Sequence, residues 1–205
     1  MGGSEPTALA EPITATEAPL DLVPEPERSV LRALDERDWR EALTLCARHY
    51  GRDIGRLCMA IVGSQAEADD LTQETLLAAH DAFATFQRQG TLRAWLCGIA
   101  RRRCARYLER SSTRAAKLHL VVVHDERPSS DELLARRQRA ERARHALAAL
   151  RPTDREAVVL RYVVGLSYRE VGAATDIEEA TARQRVSRAL ARLRDALEAE
   201  DCSHD

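Results

Sequence analysis

The chain has 205 residues, a formal net charge of -2, 44 % hydrophobic content and only 4 % aromatics. That length allows two small domains or one of ordinary size, and any core must be built from Leu, Ala and Val rather than from rings. No run of about 18 apolar residues occurs, which excludes a helical membrane span. The opening MGGSEPTALAEPITATEAPLDLVPEPE has neither the basic start nor the apolar stretch of a secretory signal, so a cytoplasmic protein is expected.

The net charge hides segregation. Residues 1–36 hold eight acids against Arg28 and Arg32, whereas residues 90–114 hold seven arginines against Glu109 alone. A local basic patch, not the total, is what an anionic polymer meets. Cys46, Cys58, Cys97, Cys104 and Cys202 are odd in number and form no C-x-x-C pair, which argues against disulfides and structural zinc. Cys97 and Cys104 read as small core residues, and Cys202 with His204 supplies too few ligands for a metal site.

Residues 1–26 are rich in Pro, Glu, Ala and Thr without periodicity, and a disordered acidic tail is expected there. Helical spacing begins near Ser29 with Leu31 and Leu34, continues through Ala42 and Leu45, breaks around Gly51, and resumes with Ile54, Leu57 and Ile61. Ser64-Gln-Ala-Glu67 has the form of a capping box and should open a helix running to about Phe86, with Leu71, Ala78, Ala82 and Phe86 in the core. Thr91 can cap the next helix, whose Leu92, Trp95, Leu96, Ile99, Cys104 and Leu108 have core spacing. Residues 111–130 lose the helical period, and Pro128 interrupts any element, so this stretch reads as a linker. Further capping tetrapeptides stand at Ser129–Glu132, Thr153–Glu156 and Ser167–Glu170, the first opening a helix that reaches Leu150. An all-α fold follows: two small helical domains, 27–113 and 130–199, joined by a flexible linker over 114–129.

The second domain ends in a helix of barely two turns from Ser167, a break at Asp176, and a longer helix starting between Asp176 and Glu179. Ala182, Val186, Leu190, Leu193 and Leu197 should pack inward, leaving Thr181, Gln184, Arg185, Arg188 and Arg192 opposite, with Arg183 nearby. Short helix, tight turn and basic longer helix make the helix-turn-helix plan. In a major groove Arg bonds guanine, Gln bonds adenine, and neighbouring arginines neutralise phosphates. A basic face taken alone is more often a solvated surface; the short helix and turn before it favour DNA. Glu178 and Glu179 suit the positive end of the helix but would repel phosphate.

In the first domain Asp70, Gln73, Glu74 and Leu77 recur at helical spacing and share one face, a mixed acidic and apolar strip suited to a protein partner. Asp69 simply complements its helix end. The next helix combines Arg101, Arg102, Arg103, Arg106 and Arg110 with Trp95 and Tyr107. Trp95 falls at a core position. Arginines near aromatics offer phosphate neutralisation together with faces for unstacked bases, as single-stranded or distorted DNA requires. No nucleophile–base pair, phosphate-cradling Gly loop or metal cluster occurs, so a binding protein rather than an enzyme is expected, with no cofactor.

Two blocks, DWREALTLCARHYG with AEADDLTQETLLAAHDAF and GTLRAWLCGIARRR, and LRPTDREAVVLRYVVGLSYREVGAATDIEEATARQRVSRALARLRDAL, resemble the extracytoplasmic-function (ECF) sigma factors of bacteria, in the sigma-70 family. The resemblance implies that residues 27–113 form a region 2-like domain that docks on core RNA polymerase and opens the −10 promoter element. It implies that residues 130–199 form a region 4-like domain that reads the −35 element, with the linker threading the enzyme. Asp70, Gln73, Glu74 and Leu77 would then meet the polymerase β′ clamp. Arg101, Arg102, Arg103, Arg106, Tyr107 and Arg110 would lie on −10 DNA, and Thr181, Arg183, Gln184, Arg185, Arg188 and Arg192 on the −35 element. Asp125, Glu126, Asp131 and Glu132 would mimic nucleic acid. The implied partners are core polymerase, through its β′ clamp and β flap, promoter DNA and an anti-sigma factor. The chain departs from the family pattern at Arg102 (usually Asn), Arg106 (usually Asp), Asp176 (usually the turn Gly) and Glu178 (usually a capping Ser). The rival from another class is a stand-alone helix-turn-helix regulator that binds duplex DNA without polymerase, normally as a dimer.

Overall fold

The computed structural model describes residues 23–111, 142, 146, 147 and 149–201, with backbone only for 111 and 198–201. The expected acidic tail up to Leu22, the linker 114–129, the start of the Ser129 helix, and Cys202 with His204 lie outside the described residues. The described residues hold no strand. The first domain consists of α1 (Glu25–Asp35), α2 (Trp39–Val62), α3 (Gln65–Ala82) with a 3₁₀ turn over Phe83–Thr85, and α4 (Leu92–Ser111). The second holds α5 (Pro152–Val158), which widens into a π-helix over Val159–Val164, then α6 (Tyr168–Thr175) and α7 (Glu179–Asp201).

Local chemistry explains most boundaries. α1 starts at Glu25, four residues before Ser29, because Pro26 is already in its first turn, where a missing amide costs nothing. Asp38 opens α2 by accepting from the Glu41 amide at 3.0 Å. The Asp-x-x-Glu pattern at 38–41 was the signal for that start. The expected break at Gly51 does not occur. α2 runs straight through it, with Tyr50 and Ile54 buried on either side, and the roughly 1 kcal/mol that a helical glycine costs is offset by tertiary packing. α2 ends where Gly63 turns left-handed at φ 78°, a conformation that a side chain would oppose.

The capping patterns divide. Ser167 and Glu170 form the complete reciprocal box, and Thr91 Oγ1 accepts from the Ala94 amide at 3.2 Å. Ser64 makes no side-chain cap to the helix amides, and the Glu67 carboxylate is engaged by the Tyr107 hydroxyl and the Ser64 side chain. Thr153 lies inside the first turn of α5 rather than before it, and Glu156 is drawn away to Arg101. A four-residue pattern offers a cap. Competing partners decide whether it forms.

One apolar core runs through both domains. Ile54, Leu57, Leu92 and Leu96 from the first are fully buried in the same cluster as Leu160, Leu166, Val171 and Val186 from the second. Each such side chain contributes about 1.5–3 kcal/mol relative to exposure. Phe83, Phe86 and Trp95 close one end, the Phe86 and Trp95 rings lying 4.7 Å apart, so Trp95 is the anchor its spacing predicted. A smaller cluster joins Leu147, Leu150, Val158, Ala189 and Leu193. Leu197, expected inside, is 38 % exposed because it lies a turn past that cluster, and Ala189 is buried in the helix instead.

Candidate nucleic-acid interface

The three predicted surfaces occupy three helices. On α3, Ala68, Leu71, Thr75 and Ala79 turn inward. That leaves Asp70, Gln73, Glu74 and Leu77 exposed together, with Leu77 60 % accessible. The strip thus sets one exposed apolar side chain beside two carboxylates and an amide.

The α4 residues separate into two groups. Arg103 Nη1 reaches back to Glu74 Oε2 at 3.1 Å, and the Tyr107 hydroxyl donates to Glu67. That hydrogen bond is the main reason the Tyr107 phenol is pushed up to about 12, and the same bond holds the Glu67 carboxyl below its ordinary range. Both side chains therefore lie against α3. Arg102, Arg106 and Arg110 are exposed, with Arg106 Nε donating to the Arg102 carbonyl at 3.3 Å. Arg101 points elsewhere. Its Nε donates to the Ala174 carbonyl at 3.2 Å and its Nη1 to Glu156 Oε2 at 3.3 Å, both in the second domain. So the structure does not bring all six α4 residues onto one free face.

In the second domain α6 and α7 make the helix-turn-helix. Asp176 stands where the chain turns, at φ 56°, a left-handed position that Asp tolerates better than most residues. The close approach of the two helices depends on Gly172, since a Cβ there would meet the Ile177 carbonyl at 2.6 Å. Thr181, Gln184 and Arg188 are exposed on α7, while Arg185 is half-buried with its charge acting on Glu156. Arg183 pairs with Glu179 at 2.9 Å and sits 4.9 Å over the Tyr168 ring; Arg192 pairs with Asp154 at 2.7 Å.

What sequence reasoning missed is the polar network between the domains. Arg93 pairs with Asp53 at 2.7 Å and donates to the Val164 carbonyl across the boundary. Thr91 Oγ1, besides capping, donates to Glu170 Oε1 at 2.9 Å, and Arg56 donates to the Val163 carbonyl. Burial alone would raise the Glu170 carboxyl. Bonds from Ser167 and Thr91 and the Arg93 charge outweigh it and hold Glu170 below the ordinary range. Glu156 goes the other way, raised by burial against the opposing charges of Arg101 and Arg185. Among the described residues, no group of three or more potential metal ligands gathers, and no helix is long and apolar enough to cross a membrane.

The Sigma-70 region 2 profile matches residues 46–114, and the Sigma-70 region 4 profile matches residues 140–193. The ECF RNA polymerase sigma factor SigC of Mycobacterium tuberculosis is 32 % identical over 154 residues, 73 % of this chain and 77 % of that protein. The chain belongs to the ECF sigma factors of the sigma-70 family. The corresponding SigE of Mycolicibacterium smegmatis is 31 % identical over 153 residues, 73 % of this sigma factor but 59 % of SigE, the longer protein. The solved structure of sigma factor RpoE from Bartonella quintana, in complex with the anti-sigma factor NepR, aligns with a TM-score of 0.58 at 25 % identity. It covers 79 % of this chain and 98 % of RpoE. The α3 strip and the α4 arginines of this sigma factor thus fall in region 2, and its helix-turn-helix falls in region 4.

Proposed function

We propose that this sigma factor grips core RNA polymerase through the α3 strip and presents two DNA-reading modules to one promoter. Region 2, through the α4 arginines, takes the −10 element, and region 4, through α7, the −35 element. Each module is too small to hold DNA well alone. Fixed on one enzyme, the second contact becomes intramolecular and effective concentration supplies what each lacks. It acts in the cytoplasm, where the polymerase is, and an anti-sigma factor of the kind bound to RpoE is the expected regulator. A stand-alone helix-turn-helix regulator is not favoured, because the family match covers both domains in order.

The observation that carries the reading is the exposed strip on α3, with Leu77 in solvent one turn beyond Glu74. Reversing Asp70 and Glu74 to Lys should abolish co-purification with core RNA polymerase while circular dichroism remains helical. Undiminished pull-down would reject that surface.

A further inference from the structure

On α7, Arg183 is held from two sides. Its Nη2 donates to Glu179 Oε1, one turn back, at 2.9 Å, and its Cζ lies 4.9 Å from the centre of the Tyr168 ring on α6. The side chain nevertheless stays 62 % exposed and faces outward. Tyr168 is itself fixed. Its ring is half-buried at the edge of the main core, and Arg161 Cζ lies 4.9 Å from its centre. Arg161 is tied in turn, its Nη1 donating to the carbonyl of the fully buried Leu166 at 2.8 Å. Arg161, Tyr168 and Arg183 thus form a cation–ring–cation series that starts at the core and ends on the outer side of α7. Among the described residues Gln184 and Arg188, also exposed on α7, have no such support.

The support leaves the guanidinium usable. A ring attracts the cation through its quadrupole, and Glu179 takes one N–H of the several that arginine carries. Two parallel donors, as guanine O6 and N7 require, therefore remain. An unsupported arginine must be ordered when it grips a base, which lowers affinity about two- to tenfold. One that is ordered beforehand avoids much of that loss. Glu179 gains a purpose too: its carboxylate, unfavourable toward phosphate, is occupied by Arg183.

We propose that Tyr168 is a positioning residue that sets base specificity, holding Arg183 against Glu179 in the direction from which it reads one base pair of the −35 element. The proposal rests on the assignment of α7 to that element. The ordering cost falls only on the base that Arg183 grips, because at a wrong base the side chain makes no bond and stays mobile. Loss of the ring should therefore lower discrimination at one base pair and leave the others alone.

The test is binding of reconstituted holoenzyme to a promoter fragment that it transcribes, with each −35 base pair varied in turn. Arg183→Ala should abolish the preference at one pair. Tyr168→Leu, apolar but without a ring, should lower the preference at that same pair about two- to tenfold. The salt slope should not change, since no charge is altered. Tyr168→Phe keeps the ring and should behave as wild type. In the Arg183→Ala background Tyr168→Leu should have no further effect. If Tyr168→Leu loses its helical circular dichroism, Tyr168→Met takes its place. Preferences untouched by Arg183→Ala would overturn the positioning role. So would a Tyr168→Leu effect that is absent, spread over several base pairs or persistent without Arg183, and so would a Tyr168→Phe variant that behaves like Tyr168→Leu. Where wild type prefers particular −35 bases and Tyr168→Leu keeps every preference, α7 retains its assignment and only the positioning role falls. A wild type indifferent to every −35 base pair would remove both.

Discussion

Changing Arg185 and Arg188 to Ala removes two positive charges from the α7 face assigned to the −35 element, and the structure sets how much each should matter. Each phosphate neutralised by an arginine contributes about 0.9 to the slope of log affinity against log salt, or about 3–4-fold between 50 and 200 mM salt. Arg188 is exposed and should contribute in full. Arg185 is half-buried and shares its field with Glu156, so part of its charge is already spent inside the protein. The double variant should therefore lower the slope by about 1 to 2, and the wild-type advantage should shrink by up to about 12-fold across that salt range. By contrast Arg192, held to Asp154 at 2.7 Å, should change the slope least when replaced by Ala. The assay is a salt titration of reconstituted holoenzyme on a promoter fragment that it transcribes, with footprinting over the upstream region. An unchanged slope and footprint in the double variant, or a larger effect from Arg192→Ala, would refute the reasoning.

Three further outcomes concern the scaffold. Gly51→Ala should stabilise the protein by about 0.5–1 kcal/mol in urea denaturation, because Gly51 lies inside α2 with nothing within 4 Å of a new Cβ. A loss of stability would show that the glycine serves a contact the fold does not reveal. Leu96→Ala, at a fully buried site on α4, should cost about 2–5 kcal/mol in the same assay. A cost under about 1 kcal/mol would mean that the core there collapses to fill the gap. Glu170 is held below its ordinary value, so its stabilisation is present above pH 4.5 and is lost as pH falls through its depressed value. Glu170→Gln should consequently be destabilising at pH 7, with the difference from wild type closing below pH 4.5. A difference that stays constant with pH would rule out the charge as its source.

Helices were legible in the sequence because their causes are local. Apolar spacing at three and four residues marked α3, α4 and α7, and the reciprocal Ser167–Glu170 box gave the start of α6 to the residue. Asp176 marked the turn because a short polar side chain suits a left-handed backbone. The exposed strip Asp70, Gln73, Glu74 and Leu77 was legible for the same reason: a helical period determines which residues share a face, whatever lies beyond it.

Side chains that reach a distant helix were not legible. Glu67 and Glu156 looked like ordinary capping glutamates, and Arg101 looked like one more arginine of a basic run. Each was claimed by a partner 40, 55 or more positions away. Periodicity carries no information about such partners, because it fixes direction around one helix axis and not what that direction meets. Thus the chain's own pattern determined two helical domains, their order and the faces they could offer. The packing of α4 against α6 decided which arginines remain available to an outside phosphate, because charge is satisfied by proximity in space rather than by position along the chain.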